Sequence, residues 1–421
     1  MRRSIMIAAA AGLTLALAAC QSGGGTETET TDGESTGEES SQPAASGTLT
    51  IWADELRAEP LTEVGAQFEA ETGVTVEIVQ RNFEDIRPEF IAQAPTGEGP
   101  DIIVGAHDWT GELVTAGVVA PVDLGAKAEE FVDVAVNAFN YEGSNYGVAY
   151  GIENIALVRN DGMTDVAPTT WDEMVAAGEA AGGQYPVLLQ QEGDGGDPYH
   201  MYPFQTSFGA PVFATDDTGA YIPELALGGE AGTAFAEWLA SQGATGTGVL
   251  DTAVTGDVAK EAFANGESAY MVTGPWNIPA FTDAGLSVSV LPIPSAGGET
   301  AAPFVGVQGF FVNAQSENQL LANTFLLDYV ATDEVQTALY ASGGRIPALI
   351  SASEAVAADD PIVAGFAAAG EVGVPMPTLP QMGSVWEFWG TTQADIIAGD
   401  ASDPAAAWQT MVENIQTAIG G

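Results

Sequence analysis

Four carboxylates and four aromatic rings fall where the chain leaves apparent strands or glycine-rich turns. They are Asp54, Asp108, Glu153 and Asp197, with Trp109, Tyr199, Trp276 and Trp386. Cations are nearly absent among them, with Arg57 and Arg345 as the exceptions. Flat apolar rings pack on the apolar faces of pyranose rings, and ionised carboxylates accept short, strong hydrogen bonds from hydroxyls. A neutral oligosaccharide satisfies both kinds of group. A phosphate, sulfate or carboxylate ligand needs several positive donors, and the chain has 9 Lys and Arg against 58 Asp and Glu. Two other readings use the same residues. A polyamine or another cation fits carboxylates beside rings. Glycoside hydrolysis needs two carboxyl groups about 5–10 Å apart, and no motif supports it.

Composition narrows the partners further. The formal net charge is -49. That opposes nucleic acid or an anionic membrane surface as a partner, because both are held through Lys and Arg. Lys127 and Lys260 are the only lysines, and neither lies in a Gly-Lys-Ser/Thr sequence, so a P-loop is excluded. His107 and His200 are the only histidines and Cys20 the only cysteine, which gives no metal-ligand spacing. Both histidines read as structural, as does Asp101 after Pro100. Trp52, Trp171, Trp238 and Trp408 sit on periodic apolar faces and belong to the core. Gly33-Glu34-Ser35-Thr36-Gly37 spells a nucleophile elbow but lacks the strand before it and the helix after it. No catalytic residue is assigned, and no cofactor is expected.

The start of the chain reads as a targeting segment. Arg2 and Arg3 precede an apolar run from Ile5 to Ala19, which is short for a membrane span. Leu17-Ala18-Ala19-Cys20 resembles the lipobox of bacterial lipoproteins, in which the thiol takes a diacylglycerol. The alternative is an ordinary secretory signal, but the single cysteine falls at the one position a lipobox requires. Two or three acyl chains hold a protein stably on a membrane, here at the outer face of the cell membrane. Residues 21–46 are mostly Gly, Ser, Thr and Glu, with no aromatic and no aliphatic side chain larger than Ala, and read as a disordered acidic tether.

The elements that must position the candidate residues follow from periodicity. A strand runs from Thr48 to Trp52, a helix from about Pro60 to a stop at Gly73, and a second strand over Val74 to Val79. A helix over Glu84 to Ala94 leads through Gly97-Glu98-Gly99-Pro100 into the buried strand Ile102-Ile103-Val104. This β-α-β-α-β order predicts a parallel sheet with helical crossovers. Ligands in such sheets sit beyond the carboxyl ends of strands, where His107-Asp108-Trp109 lies. Ala149 to Val158 reads as one buried strand, Trp171 opens a helix capped by Thr169 or Thr170, and Asp194 to Pro203 reads as a loop. Helices are expected over Ala231 to Leu239 and Asp257 to Ala264. Strands follow over Tyr270 to Val272, Val288 to Leu291 and Phe304 to Val312, and a helix over Asn318 to Ala331. The last helix is amphipathic, with Trp408, Met411, Val412, Ile415 and Ile419 on one stripe.

Four segments carry a resemblance to a known family. They are Thr96 to Ile103 with Ala106-His107-Asp108, Asn265-Gly266-Glu267 through Gly274-Pro275-Trp276, Pro303 to Val307, and Met376 to Met382 through Trp386. In order and spacing the chain resembles the maltose/maltodextrin-binding proteins of ABC importers, in their lipoprotein form, over nearly all of residues 48–421. The resemblance implies an α/β fold of the two-lobed periplasmic-binding-protein kind (type II, with crossed-over strands). The ligand cleft lies between the lobes. It puts the N-terminal lobe at 47–151 and 309–355, the C-terminal lobe at 156–304 and 361–421, and the hinge at 152–155, 305–308 and 356–360.

The resemblance also implies an extracytoplasmic receptor, a monomer, that closes on an oligosaccharide and presents it to the membrane subunits of a permease. Asp108 falls where the family has a sugar-bonding aspartate. Glu153, Tyr199, Trp276 and Trp386 fall on family sugar contacts, Arg57 near a lysine contact and Asp197 on a glutamate. Asp54 and Glu55, at the end of the first strand, complete the expected binding set with Trp109. Gly105 stands where well-known members have a stacking tryptophan, and Trp109, where they have an arginine, supplies the ring from next door. Glu387 and Gly390 replace a tyrosine and an arginine that line the family's site. These departures bear on chain length and linkage.

Overall fold

The computed structural model describes residues 47–216, 221–358 and 360–420. The expected signal peptide with Cys20 and the tether over 21–46 lie outside the described residues. The chain opens with strand β1 (Thr48–Ala53), in which Leu49 and Ile51 are buried. Helix α1 (Glu55–Thr72) follows and crosses to β2 (Thr75–Gln80), parallel to β1. Helix α2 (Phe83–Gln93) then crosses to β3 (Ile102–Ala106), which pairs with β1 on its other side and is buried throughout.

Helix α1 begins earlier than periodicity predicts. Its N-cap is Asp54, whose carboxylate accepts from the Leu56 N–H at 2.9 Å. Pro60 lies inside the helix instead of at its start. A proline there frees the carbonyl four residues back, and the Ser342 hydroxyl donates to that Leu56 carbonyl. Gly73 closes the helix at φ 78°, a conformation that favours glycine.

The expected single strand over Ala149 to Val158 is two. Strand β4 (Gly147–Asn154) belongs to the large sheet and β5 (Ala156–Asn160) to a separate three-stranded sheet, with the break at Ile155. Both halves are apolar and extended, so composition alone did not reveal the change of sheet. The expected loop over Asp194 to Pro203 is in part helix α3 (Pro198–Thr206), with Asp197 as N-cap and Pro198 in the first turn. In the three-stranded sheet, β6 (Tyr270–Thr273) and β7 (Val288–Leu291) flank β5, both antiparallel.

Strand β8 (Phe304–Asn313) corrects the expectation of a purely parallel sheet. It returns from the far part of the chain and inserts antiparallel between β3 and β4. The large sheet then runs β2-β1-β3-β8-β4, with Ile346–Pro347 on the outer edge of β4. Local β-α-β order reports only neighbours in sequence, and β8 comes from 200 residues further on. Helices α4 (Gly383–Ala398) and α5 (Pro404–Ile419) pack against each other near the C-terminus.

Trp52, Trp171 and Trp408 are buried in the core, and Trp238 packs half-buried against it. The indole N–H of Trp171 donates to Gln242 at 2.9 Å and that of Trp408 to the Leu227 carbonyl at 2.8 Å. Each therefore keeps its polar edge satisfied. Asp101 has the structural role expected of it. It accepts from the Thr50 N–H at 2.8 Å, the Asn318 amide at 3.2 Å and the Ser316 hydroxyl, which ties β1 to the segment after β8.

Candidate functional site

The topology of the large sheet brings five segments to one edge. β1 and β3 are parallel and both end there, with Asp54 and Arg57 after the first and His107–Trp109 after the second. β8 runs the opposite way and starts there, which sets Gln308 opposite Ala106. β4 is antiparallel to β8, so it ends at the same edge, with Glu153 opposite Gly306. Arg345 precedes the edge strand that pairs with Ile152 and Gly151.

These residues join in one buried polar chain. Arg57 pairs with Asp54, donates to the Tyr150 hydroxyl, and donates to Gln308 Oε1 at 3.1 Å. Gln308 Nε2 donates to Glu153 Oε1 at 2.7 Å, and Arg345 Nε donates to Glu153 Oε2. Burial works against the charge on Arg57. Tyr150, Asp54 and Glu153 outweigh it, so the guanidinium holds its proton above the usual arginine range. Tyr150 is pushed up by burial, although Arg57 and Arg345 pull the other way. Glu55 is not brought to this chain; it is exposed on the first turn of α1.

Aromatic rings continue the lining. The Arg345 guanidinium lies 5.2 Å from the centre of the Trp276 ring. From Trp276 the succession passes to Tyr199 at 6.3 Å, to Phe304 at 6.3 Å and to Trp386 at 6.2 Å. Trp276, Tyr199 and Trp386 are half-buried. The Trp386 side chain reaches the carboxylate of Asp108. Beside Asp108, the Trp109 ring packs 5.0 Å from Phe83, and Arg57 lies 5.1 Å from Phe83. The contacts thus close into a circuit that starts and ends at Arg57.

Asp108 is pushed up to about 6, from an ordinary 3.8, by burial, against the pull of Arg87 and the Trp386 side chain. Asp197 is largely spoken for. Besides capping α3 through the His200 N–H at 2.9 Å, it accepts from Gln190 at 2.7 Å and meets His200 Nδ1 at 2.9 Å. His107 is structural, as expected. Its Nδ1 accepts from the Val307 N–H at 3.0 Å, so Nε2 donates to the Met376 carbonyl at 3.1 Å. Burial pushes it down to about 4, against those two backbone bonds and Glu153, so it is neutral at pH 7.

Four buried polar atoms around this circuit have no hydrogen-bond partner among the described residues. They are Asp108 Oδ1, the Tyr199 hydroxyl, His200 Nε2 and Arg345 Nη1. Buried polar atoms in folded proteins are nearly always paired. Four orphans on one lining are donors and acceptors with bonding capacity to spare.

The departures at Gly105 and Gly390 have a steric cause. A Cβ on Gly105 would lie 2.5 Å from Cε3 of Trp109, so the indole occupies the space that a side chain at 105 would need. Gly105→Ala is expected to push that ring out of place and cost about 1–3 kcal/mol of stability. Urea unfolding measures it, and a change under 0.5 kcal/mol would show that the ring yields freely. A Cβ on Gly390 would meet the Gly195 carbonyl at 2.2 Å, which leaves no room for a longer side chain, and Glu387 is exposed.

Sequence reasoning missed Tyr150, Gln308, His200 and Phe304 as parts of the lining and left Arg345 unassigned. A signal existed for Gln308, the one amide inside the otherwise apolar run Phe304 to Val312.

A mixed sheet with a returning strand, a second small sheet and a lining shared by both parts of the chain define a two-lobed α/β binding protein of the type II, crossed-over kind. The profile of the bacterial extracellular solute-binding proteins matches residues 63–365, and the chain belongs to that family. The structure is similar to that of a Thermus thermophilus maltotriose-binding protein bound with maltotriose. The TM-score is 0.81 and the identity 33%, over 88% of this chain and all of that one. The chain is 27% identical to a maltooligosaccharide ABC transporter solute-binding lipoprotein of Streptococcus pneumoniae strain R6, over 87% of this chain and 89% of that one. It is 24% identical to a galactooligosaccharide-binding protein of Bacillus subtilis, over 97% and 95%.

Proposed function

We propose that the protein is the lipid-anchored receptor of an ABC sugar importer and captures maltose/maltodextrin-like oligosaccharides without hydrolysing them. One observation carries this reading: half-buried rings at Trp276, Tyr199 and Trp386 share a lining with buried polar atoms that lack partners among the described residues. The rings offer platforms for pyranose faces, and the polar atoms offer donors and acceptors to hydroxyls. The ligand names carried by the maltotriose and maltooligosaccharide relatives support the same class.

In this reading Asp108, Trp109, Glu153, Tyr199, Trp276 and Trp386 touch the sugar. Asp54 and Arg57 position Glu153 through Gln308, and Asp197 acts through His200. The lobes are 47–151 with 309–355 and 156–304 with 361–421. The hinge is 152–155, 305–308 and 356–360, supported by the change of sheet at Ile155. Sugar that touches both walls favours the closed state by its extra contacts there, and the permease recognises that state. Cys20 carries the lipid that holds the monomer at the outer face of the cell membrane.

Calorimetric titration with maltose, maltotriose, longer α-1,4-glucans, galactooligosaccharides and spermidine tests the reading. Saturable binding of maltotriose is expected, with no heat from spermidine. Binding of spermidine alone would replace the sugar by a cation, and binding of galactooligosaccharides alone would replace the linkage. Release of reducing sugar from maltodextrin would make the protein a hydrolase.

Affinity is also expected to depend on pH through Asp108. Its raised value means that the native state holds a proton between about pH 4 and pH 6 that the unfolded chain has lost. Ligand-free stability therefore falls as pH rises across that window. A sugar hydroxyl donating to the carboxylate favours the ionised form. Maltotriose affinity should accordingly be flat above pH 7 and decline as pH falls through about 6, by at most about tenfold per pH unit. A wild-type profile as flat as that of Asp108→Asn would remove Asp108 from the site.

A further inference from the structure

We infer that His200 is a direct ligand contact, with Nε2 accepting a hydrogen bond from one hydroxyl of the bound oligosaccharide. The inference rests on the oligosaccharide reading and adds a residue that stands outside the expected binding set.

The geometry fixes the chemistry of the ring. A carboxylate can only accept, and Asp197 accepts on Oδ1 from the His200 N–H and on Oδ2 from the Gln190 amide, both its oxygens thus held in place. His200 Nδ1 lies 2.9 Å from the same Oδ2, so Nδ1 must carry a proton and donate it. In the neutral ring Nε2 then bears the lone pair, and it is an acceptor. That atom is buried and has no partner among the described residues. His200 as a whole is 4% exposed, so Nε2 is not left to bulk water.

The surroundings say what it meets. The imidazole stands perpendicular to the Trp276 ring at 6.0 Å between centres and to the Tyr199 ring at 5.3 Å. Trp276 is a half-buried platform, and the Tyr199 hydroxyl and Arg345 Nη1 beside it also lack partners. A pyranose resting on an indole turns its hydroxyls outward in its own plane, within reach of a group this close. The ring cannot swing away to serve as a mere spacer, because the first turn of α3 and Asp197 hold it at both the main chain and Nδ1. Tyr199 and Arg345 supply donors to the ligand, while Asp108 and His200 supply acceptors. A hydroxyl is both donor and acceptor, so the four together fit a polyol better than a cation, which has no use for the donors.

The test is calorimetry at pH 8 on wild type, His200→Phe and His200→Gln, with maltotriose and a panel of single-deoxy maltotrioses. His200→Phe keeps a packed ring and removes the acceptor. It is expected to weaken maltotriose about tenfold or more. One deoxy analogue, the one lacking the hydroxyl that donates to Nε2, should bind wild type and His200→Phe alike. The other analogues should keep the full difference, which a merely structural effect of the substitution would not reproduce. Should His200→Phe fold poorly, the same comparison is made with His200→Leu, which also lacks an acceptor, while His200→Gln, whose Oε1 can accept, should bind closer to wild type. If wild type binds maltotriose and the variant without an acceptor binds it equally well, or loses affinity equally for every analogue, the inference is overturned and the oligosaccharide reading stands. If wild type binds no gluco-oligosaccharide, the reading falls and the inference with it.

Discussion

Glu153→Ala is expected to cost about 3–5 kcal/mol of folding stability, the largest effect of any single change in the lining. Both carboxylate oxygens are engaged, one by Gln308 and one by Arg345, and all three residues are buried. Truncation leaves the Arg345 guanidinium in a low-dielectric setting, against the Trp276 ring and without its carboxylate partner. It also cuts the link by which Gln308 joins Glu153 to Arg57. The double variant Glu153→Ala/Arg345→Ala removes the stranded charge, so it should recover part of the loss and give a pair coupling above about 1 kcal/mol. Urea midpoints and slopes for the four proteins of the cycle measure this. Additive losses would mean that water or a rotated neighbour satisfies Arg345 without Glu153.

Trp276→Ala and Trp386→Ala are each expected to weaken maltotriose binding by about 1–3 kcal/mol, roughly fivefold to more than a hundredfold. Trp276 offers an indole already flanked by Arg345, Tyr199 and His200, so it enters the complex with little freedom left to lose. A Cβ on Gly274 would lie 1.9 Å from that ring, which shows how closely the indole lies on its own backbone turn. Trp386 stacks 5.5 Å from the buried Trp389 and lies close enough to Asp108 to influence its carboxylate. Glu55→Ala, at an exposed position of α1, serves as the comparison and should leave affinity unchanged. Calorimetry decides the matter. Wild-type affinity in both tryptophan variants would move the ligand to another surface.

The legible parts of the sequence were those set by local rules. The cap at Thr169 or Thr170 (it is Thr170), the αL stop at Gly73, the buried run Ile102 to Val104 and the apolar stripe of α5 all follow from near neighbours, and all stand in the structure. The illegible parts depended on distant pairing. Nothing local to Ala149–Val158 says that Ile155 parts two sheets, because both halves are equally apolar and extended. Nothing local to Phe304–Asn313 says that it lies between β3 and β4. The start of α1 was hidden by Pro60, which looks like a first-turn residue until Ser342, far along the chain, is seen to take the freed carbonyl. For the lining, carboxylates and rings at strand ends gave Asp108, Glu153, Tyr199, Trp276 and Trp386. Tyr150 and His200 carry no such mark, since each acts through a partner remote in sequence or through a single ring nitrogen, and Gln308 is marked only as an amide in an apolar run.

The closeness of Trp109 to the backbone of Gly105 also couples two positions in heredity. A ring at 105 and a ring at 109 compete for one volume, so position 105 cannot gain a side chain freely while Trp109 stays. A lineage that gains a bulky residue at 105 must first, or at once, reduce or redirect the side chain at 109. Introducing Gly105→Trp alone should be harmful, and tolerable only together with Trp109→Arg. Relatives should then sort into two groups at this pair, with intermediates rare, and the boundary between the groups would be a natural place for sugar preference to have diverged.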